Sequence, residues 1–267
     1  MREFPLDIVI TEGNTYTTPR RMGLLIHAIG TDSTTDAYLE VEGMATGKIK
    51  QGIAPLHKIG TNLLGPLSLK DLAYVIPPET DFRVVGASGC KMRLIGKCIF
   101  LAPGEDFPSD LIARYNRQKD HYYTYVEGSL TMDTDEALAA DEEKTVLTVK
   151  PSTIERYVLN GPLMVDVENY SPSEGELAVR FRYDETYLDK ILENTKVGGI
   201  DIMACPRPPT TSDEMVPFSL EAIPITVEPG HALYGIIRNI KGSAISPATG
   251  TALKFTITAI CTFERIE

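Results

Sequence analysis

The chain has 267 residues, a formal net charge of −11 and a hydrophobic content of 43%. This length is enough for one large or two small cores, and the acidic balance argues against nucleic-acid binding as the main activity. No run of 18 apolar residues predicts a membrane-spanning helix, and the first residues, MREFPLDIVITEG, lack the apolar stretch of a secretory signal.

Glycine and proline punctuate the sequence densely, with 21 and 18 residues respectively, and tryptophan is absent. The runs between these breaks are short and rich in Val, Ile, Thr, Tyr and Phe. Because such runs are typical of strands, the composition favours an all-β sandwich over a helical bundle.

The first part of the chain contains six to eight strand candidates, and four of them are the basis of the comparison below. The clearest is CKMRLIGKCIFL, where apolar or small residues occupy every second position from Met92 to Phe100, as in a strand with one buried face. A short helical turn is predicted over 68–73, because SLKD resembles a capping box. The other three candidates are RRMGLLIHAIG (20–30), AYLEVEG (37–43) and IPPETDFRVVG (76–86).

The middle of the chain, 105–145, is predicted to be a linker with a helix and a strand. Ser109 fits the N-cap of a helix over 110–120, and HYYTYVEGSLTM (121–132) alternates as a strand that pairs with either half. The carboxylate-rich stretch DTDEALAADEE (133–143) lacks the glycine spacing of an EF-hand. A solvated loop is therefore expected there, with a loose cation contact between subunits as the alternative.

The second part of the chain repeats the first. With a shift of 163 residues, the alternating positions from Met92 to Phe100 fall on those from Phe255 to Phe263. Three further matches lie upstream in the same order, although low identity leaves convergence of generic β patterning open. The matches are Pro78 and Phe82 with Pro229 and Leu233, 20–30 with 157–169, and 37–43 with 177–183.

This repeat predicts an all-β chain of two tandem jelly-roll or β-sandwich domains with a few short helices. The domains are placed at 1–104 and 146–267, on either side of the linker 105–145. One further helix is predicted over 184–196, beginning at Asp184 and ending before a glycine pair.

No motif for catalysis is found. The stretch VEGMATGKIK has three residues between Gly43 and Gly47 and an isoleucine after Lys48, whereas a P-loop needs four residues and then Ser or Thr, so a β-turn is predicted. Neither GxSxG nor HExxH occurs. We therefore predict no catalytic, cofactor-binding or metal-ligating residue, and expect structural histidines and free, buried thiols. The residues concerned are His27, His57, His121, His231, Cys90, Cys98, Cys205 and Cys261.

The stretch ARYNRQKDHYYTY mixes basic and aromatic residues. Such a mixture holds single-stranded nucleic acid in some proteins and an anionic membrane surface in others. We expect instead an amphipathic helix that packs against the sandwiches, followed by a tyrosine-rich strand. The residues concerned are Arg114, Arg117, Lys119, Tyr115, Tyr122, Tyr123 and Tyr125.

Two successive β-sandwich domains of similar plan, with few helices and no catalytic motif, resemble the major capsid proteins of the double jelly-roll family. The size resembles the compact members from membrane-containing icosahedral bacterial and archaeal viruses. The resemblance covers nearly the whole chain and implies homotrimers that form pseudo-hexagonal capsomers over an internal membrane. The family's usual N-terminal helix near the membrane is not evident in MREFP, so the helix over 110–120 is the alternative for that place.

The resemblance implies a structural virion protein, a major capsid protein of a bacteriophage-like virus that is located in the virion, has no cofactor and is not an enzyme. Its partners would be itself, as a homotrimer and then a capsid lattice, other virion proteins and an internal membrane surface, with no specific nucleic acid. The loops 51–67, 204–217 and 242–250 are expected either to make subunit contacts or to decorate the outer end of the assembly.

Two other functions stay open at this point. A non-catalytic virion accessory or surface-binding β-module, such as a decoration, spike or pilus-like subunit, shares most of the sequence support. An enzyme on a bicupin-like double barrel would need clustered metal-binding histidines, and the sequence has no HxH.

Overall fold

A computed structural model describes residues 1–51, 53, 66–188, 199–205 and 218–266. These residues form two compact units, one of residues 1–124 with 262–265 and one of residues 125–261 with 266. The loops 51–67 and 204–217, and His57, lie almost wholly outside the described residues. In the described part, no helix is long and apolar enough to cross a membrane.

The first unit consists of nine described strands, one 3-10 helix and one α-helix. The strands are β1 (Arg2–Thr11), β2 (Tyr16–Thr17), β3 (Met22–Thr31), β4 (Tyr38–Val41), β5 (Met44–Ala45), β6 (Leu67–Ser68), β7 (Tyr74–Ile76), β8 (Asp81–Val85) and β9 (Lys91–Phe100). The 3-10 helix is Lys70–Leu72 and α1 is Ser109–Arg117.

Strand pairing in the first unit follows a nested order. The first sheet runs β1-β9-β3 with β6 and β7 both on β3, and the second runs β2-β8-β4-β5. If the two-residue strand β6 is set aside, eight strands remain, and the first pairs with the eighth, the second with the seventh, the third with the sixth and the fourth with the fifth. This two-sheet, eight-stranded order is a jelly roll.

The second unit has the same strand order. Its sheets run β10-β18-β12-β16 and β11-β17-β13-β14, with the short β15 on β13. If β15 is set aside and the other eight strands are numbered in chain order, the two sheets run 1-8-3-6 and 2-7-4-5. The sheets of the first unit run in the same order when β6 is set aside. The strands are β10 (His121–Thr134), β11 (Glu143–Val149), β12 (Glu155–Glu168), β13 (Leu177–Tyr183), β14 (Thr186–Tyr187), β15 (Ile200–Asp201), β16 (Ile225–Val227), β17 (Leu233–Asn239) and β18 (Ala252–Arg265).

The strand pairs matched in the sequence hold equal ranks in the two units. β3 and β12 are third, β4 and β13 fourth, β8 and β17 seventh, and β9 and β18 eighth. The predicted all-β fold of two jelly rolls with few helices is confirmed. The predicted linker 105–145 contributes α1 to the first unit and most of β10 to the second, and the boundaries at 104 and 145 stay a prediction.

One backbone detail recurs in both units. After β4 the chain turns at Glu42 with a φ of 48°, and Glu42 N–H donates to Asp81 O at 2.9 Å. After β13 it turns at Asp184 with a φ of 49°, and Asp184 N–H donates to Ala232 O at 2.8 Å. The fourth and fifth strands therefore form the same hairpin, held against the start of the seventh strand.

This hairpin overturns one sequence prediction. The helix predicted to begin at Asp184 is wrong at its start, because Asp184 has a left-handed backbone and 186–187 pair with β13. The segment 189–196 lies outside the described residues. The helix predicted over 110–120 is confirmed as α1, but Ser109 is its first residue and not its N-cap: the N-cap is Pro108, and no side chain hydrogen-bonds there as a cap.

Both sheets of the second unit contribute to one hydrophobic core. β18 turns alternate residues from Leu253 to Cys261 into it, all with no exposed surface. A Cβ atom on Gly235 of β17 would lie 3.0 Å from Leu147 Cβ and 3.3 Å from Ile257 Cδ1. β17 and β18 therefore face each other closely across the core, and the glycine allows this approach.

Candidate functional surfaces

The described residues contain no group of three His, Cys, Asp or Glu side chains that could hold a metal ion. The four cysteines are free, as predicted; Cys90, Cys205 and Cys261 are buried, while Cys98 is only partly so. Burial raises the pKa of the Cys205 thiol to about 12. This thiol is therefore protonated and unreactive at neutral pH.

Three of the four histidines lie in the described residues. His27 is the extra residue of a bulge in β3, and His121 opens β10; burial lowers the pKa of both imidazoles. His231 Nδ1 lies 2.6 Å from Asp184 Oδ2, and this hydrogen bond lowers the pKa of Asp184. His231 thus ties the β13–β14 hairpin to the turn before β17, which is a structural role.

Tyrosines of the basic and aromatic stretch are used for packing. Tyr123 is buried, Tyr122 stacks on Phe263 with ring centroids 4.8 Å apart, and Tyr115 OH donates to Glu42 Oε2 at 2.6 Å. These rings are not presented as a surface on which bases could stack. The expected packed helix and tyrosine-rich strand are observed.

The helix α1 and the residues after it close an edge of the first unit. Gln118 Nε2 donates to Val75 O at 3.1 Å, and Gln118 Oε1 accepts from Val75 N–H at 2.8 Å. The side-chain amide thus takes the place of a neighbouring strand on β7, whose edge would otherwise be unpaired.

The stretch VEGMATGKIK, which is not a P-loop, packs against the same segment after α1. Tyr74 OH donates to Tyr123 O at 3.2 Å and accepts from Gly47 N–H at 3.1 Å. A Cβ atom on Gly47 would lie 1.7 Å from Tyr123 O. Gly47 is therefore required by close backbone packing and not by a bound phosphate.

The acidic segment 133–143 is largely the exposed loop that was expected, with its ends in β10 and β11, and several of its carboxylates form ion pairs. Lys144 Nζ lies 2.9 Å from Glu142 Oε1 and 3.3 Å from Glu136 Oε1, and Arg238 contacts Asp141 at 3.0 Å. The hydrogen bond from Lys144 lowers the pKa of Glu142. A cation contact between subunits at this segment stays a prediction.

The outer surface of the second sheet of the first unit is acidic. Alternation along β4 and β8 turns Glu40 and Arg83 outward, and Arg83 Nε donates to Glu40 Oε1 at 2.7 Å. Asp81 and Glu42 line the same shallow cleft. We call Glu40, Glu42, Asp81 and Arg83 the acidic face; it carries three carboxylates and one guanidinium.

The corresponding surface of the second unit is basic. Arg180 and Arg182 project from β13 and Arg238 from β17, and we call these three residues the basic face. Arg180 is paired with Glu143, and the Arg182 guanidinium lies 4.7 Å from the Tyr234 ring centroid. The buried Nε atoms of Arg182 and Arg238 have no hydrogen-bond partner among the described residues.

The two faces differ at positions that correspond in the strand register. Glu40 is paired across the ladder with Arg83 in the first unit, and Arg182 with Tyr234 in the second. Glu40 lies two residues before the hairpin turn at Glu42, and Arg182 lies two residues before the corresponding turn at Asp184. An ion pair in one jelly roll is thus replaced by a cation–π contact in the other.

Comparisons with known proteins give structural likenesses only. No protein-family model and no curated protein sequence matches the chain. The major capsid protein P2 of bacteriophage PM2 is similar with a TM-score of 0.32 and 8% identity, covering 96% of this chain and 98% of that one. The capsid of PBCV-1 virus is similar with a TM-score of 0.30 and 9% identity, covering 98% and 95%. The fold assignment does not depend on these scores, because it follows from the strand order.

Sequence reasoning placed no functional residue and did not find the two charged faces. Polar residues that alternate along a strand indicate an outward face, but they do not tell which strands lie beside each other. Arg182 and Arg238 are 56 residues apart in the sequence and share a face only because β13 pairs with β17.

Proposed function

We propose that the chain is a structural virion protein, a capsid protein that assembles as trimeric, pseudo-hexagonal capsomers. The observation that supports the proposal most strongly is the tandem pair of jelly rolls with the same strand order in one chain. Three copies of such a chain supply six similar domains. Six similar domains fill a hexagonal site while the molecule keeps only threefold symmetry.

The surfaces of the described residues fit a building block better than a catalyst. Cysteine, histidine and tyrosine are common catalytic residues in enzymes. In the described part of this chain the cysteines are mostly buried, His231 fixes a hairpin, and Tyr74 hydrogen-bonds neighbouring backbone. The proposed location is the virion, and the proposed partners are further copies of the chain and other virion proteins. An internal membrane surface is a further proposed partner, and α1, with exposed Arg114 and Arg117, is the element proposed to face it.

Light scattering on a size-exclusion column tests the assembly state. The proposal predicts a particle of three times the chain mass of 29.4 kDa, and larger assemblies at higher concentration. A monodisperse monomer at every concentration would contradict the proposal. It would favour the accessory or surface-binding module, for which a ligand screen would be the next experiment.

A further inference from the structure

We infer that the exposed aromatic pair Phe4–Phe100 of one copy docks on the strand edge around Ile223 of the next copy. This inference rests on the proposed function for the number of copies in the closed assembly. It adds the identity of the two surfaces that meet, which the strand order and the resemblance leave open.

The first surface is an aromatic pair on the first and eighth strands of the first jelly roll. The Phe4 and Phe100 rings meet edge to face, with centroids 5.4 Å apart. They are nevertheless 49% and 42% exposed. Two neighbouring exposed rings, unlike a single exposed apolar side chain, indicate a contact surface, because covering them removes a large apolar area from water.

The second surface is the edge of the sixth strand of the second jelly roll. This strand, β16, lies at the end of its sheet. Ile223, just before it, is 70% exposed and is the most exposed large apolar side chain among the described residues. Pro224 and Thr226 are exposed as well. An uncovered apolar edge strand is a site at which another chain can pack.

The aromatic pair of the second jelly roll is already covered. Tyr122 of its first strand stacks on Phe263 of its eighth strand, and Phe263 is only 5% exposed. Both residues belong to the compact first unit. In that unit the next residue, Tyr123, accepts a hydrogen bond through its carbonyl from Tyr74 OH at 3.2 Å. The pair therefore lies beside β7, the sixth strand of the first jelly roll.

The edge of β7 is likewise covered, whereas that of β16 is open. The proline alignment of the two repeats puts Ile225 of β16 in the place of Tyr74 of β7. It puts Ile223 in the place of Leu72. Tyr74 is fully buried and Leu72 is partly buried, while Ile223 is exposed. One aromatic pair and one sixth-strand edge thus meet within the first unit, and their counterparts remain uncovered.

Symmetry then selects a second copy as the partner. Repeating the contact already present in the first unit would cover Phe4 and Phe100 of one copy with the Ile223 edge of another. The two surfaces differ, so their contact is heterologous, and heterologous contacts close into rings when the rotation permits. A contact between two aromatic pairs would instead give an isologous dimer and would leave both Ile223 edges exposed.

A charge placed on either surface is the direct test. Phe100→Lys and Ile223→Glu are each expected to raise the concentration needed for half-maximal oligomerisation about tenfold or more, because each buries an unpaired charge in an apolar contact. The two changes combined in one chain are expected to restore part of the assembly, because every contact then brings a lysine against a glutamate. Light scattering over a concentration series measures all three variants, and a double variant that shows both losses in full would overturn the inference.

Matched controls place the same charges elsewhere. Val9→Lys changes an exposed residue of β1 on the opposite face of the strand from Phe4. Ile154→Glu changes an exposed residue at the opposite end of the β12–β16 ladder from Ile223. Both controls are expected to leave assembly unchanged, and circular dichroism checks the fold of every variant.

The outcomes separate this inference from the proposed function. If the wild-type chain forms trimers and both single variants assemble as it does, the interface is wrong while the capsid function stands. Dimers that Phe100→Lys disrupts and Ile223→Glu leaves intact would mean that two aromatic pairs meet, which also overturns the inference. If the wild-type chain never assembles, the proposed function fails together with it. If Phe100→Lys does not fold, Ile223→Glu alone decides, and unchanged assembly refutes the docking.

Discussion

The two closing strands, β9 and β18, are alike on the inside and unlike on the outside. Met92 and Leu94 of β9, and Phe255 and Ile257 of β18, are buried at positions separated by 163 residues. The buried face predicted for β9 ends before Phe100, which is 42% exposed, whereas Phe263 at the corresponding position of β18 is 5% exposed. On the outer side of β9, Arg93 and Lys97 form solvent-exposed ion pairs with Asp7 and Glu3 at 2.7 and 2.8 Å. On the outer side of β18, the corresponding positions are Thr256 and Ile260, which are 6% and 0% exposed.

The comparison shows which face of each strand is set by the jelly-roll fold and which face is set by what lies outside the sheet. The inward alternation is common to both strands, because each must fill the space between two sheets. The outer residues follow the environment of each sheet: on β9, Arg93 and Lys97 form ion pairs at the surface and only Ile99 is buried, whereas on β18 Thr256, Thr258 and Ile260 are all buried. Duplicated strands can therefore keep one face and change the other without altering strand order.

Exchanging the outer residues should have the largest effect. Ile260→Lys places a charge at a fully buried position and is expected to cost about 4 kcal/mol or more of unfolding free energy. The reverse exchange, Lys97→Ile, removes an exposed ion pair and is expected to change stability by about 1 kcal/mol or less. Denaturant unfolding of both variants measures the contrast, and equal losses would refute it.

A second exchange concerns Gly96 in β9 and Ala259, which holds its place in β18. A Cβ atom on Gly96 would lie 1.9 Å from Leu25 O, so Gly96→Ala is expected to cost about 3 kcal/mol by forcing the backbone apart. Ala259→Gly removes one methyl group and is expected to cost about 1 kcal/mol. The same unfolding experiment applies, and a larger loss for Ala259→Gly would show that the register is assigned wrongly.

The edge closure of the first unit gives a smaller effect. Gln118→Ala leaves the N–H and C=O groups of Val75 without their side-chain partner and is expected to cost about 2 kcal/mol. Asn116→Ala, an exposed change on the same helix, serves as the matched control. Hydrogen exchange at Val75 should become faster in the first variant only; unchanged protection would mean that Gln118 does not close this edge.

The smallest effect is a pH dependence confined to the second unit. Hydrogen bonds from Lys241, Tyr170 and the Ser173 N–H lower the pKa of Glu176 to about 2, from an ordinary value of 4.5. Because the folded pKa is the lower one, the stabilisation is complete above pH 4.5 and is lost as the pH falls towards 2. Glu176→Gln should flatten the stability profile in this window, whereas Glu174→Gln should not; identical profiles would contradict the assignment.

Much of the fold could be predicted from sequence, because alternation is a local signal and the repeat doubles it. Pro78 and Pro229, and the strands that follow them, can be matched from the sequence alone. The strand over 121–132 was also recognised, but not its place as first strand of the second jelly roll, since its pairing with β18 joins residues more than 100 positions apart. The prediction that a helix starts at Asp184 was wrong, because residues 186–187 pair with β13 in a hairpin. The strand pairing outweighs the helical pattern of the local sequence.

The surfaces were much less predictable. Gln118 reads as an ordinary polar residue of an amphipathic helix, and its role appears only when β7 is placed beside it. The opposite charges of the two faces depend in the same way on strand pairing. The sequence therefore indicated the architecture and the lack of catalytic motifs, while the contact surfaces required the three-dimensional arrangement.

Electron microscopy of the concentrated wild-type protein tests the central claim most directly. The account predicts sheets or shells built from threefold units, each with six similar lobes from three chains. Particles that remain monomeric, or a lattice whose unit contains two or four chains, would contradict it.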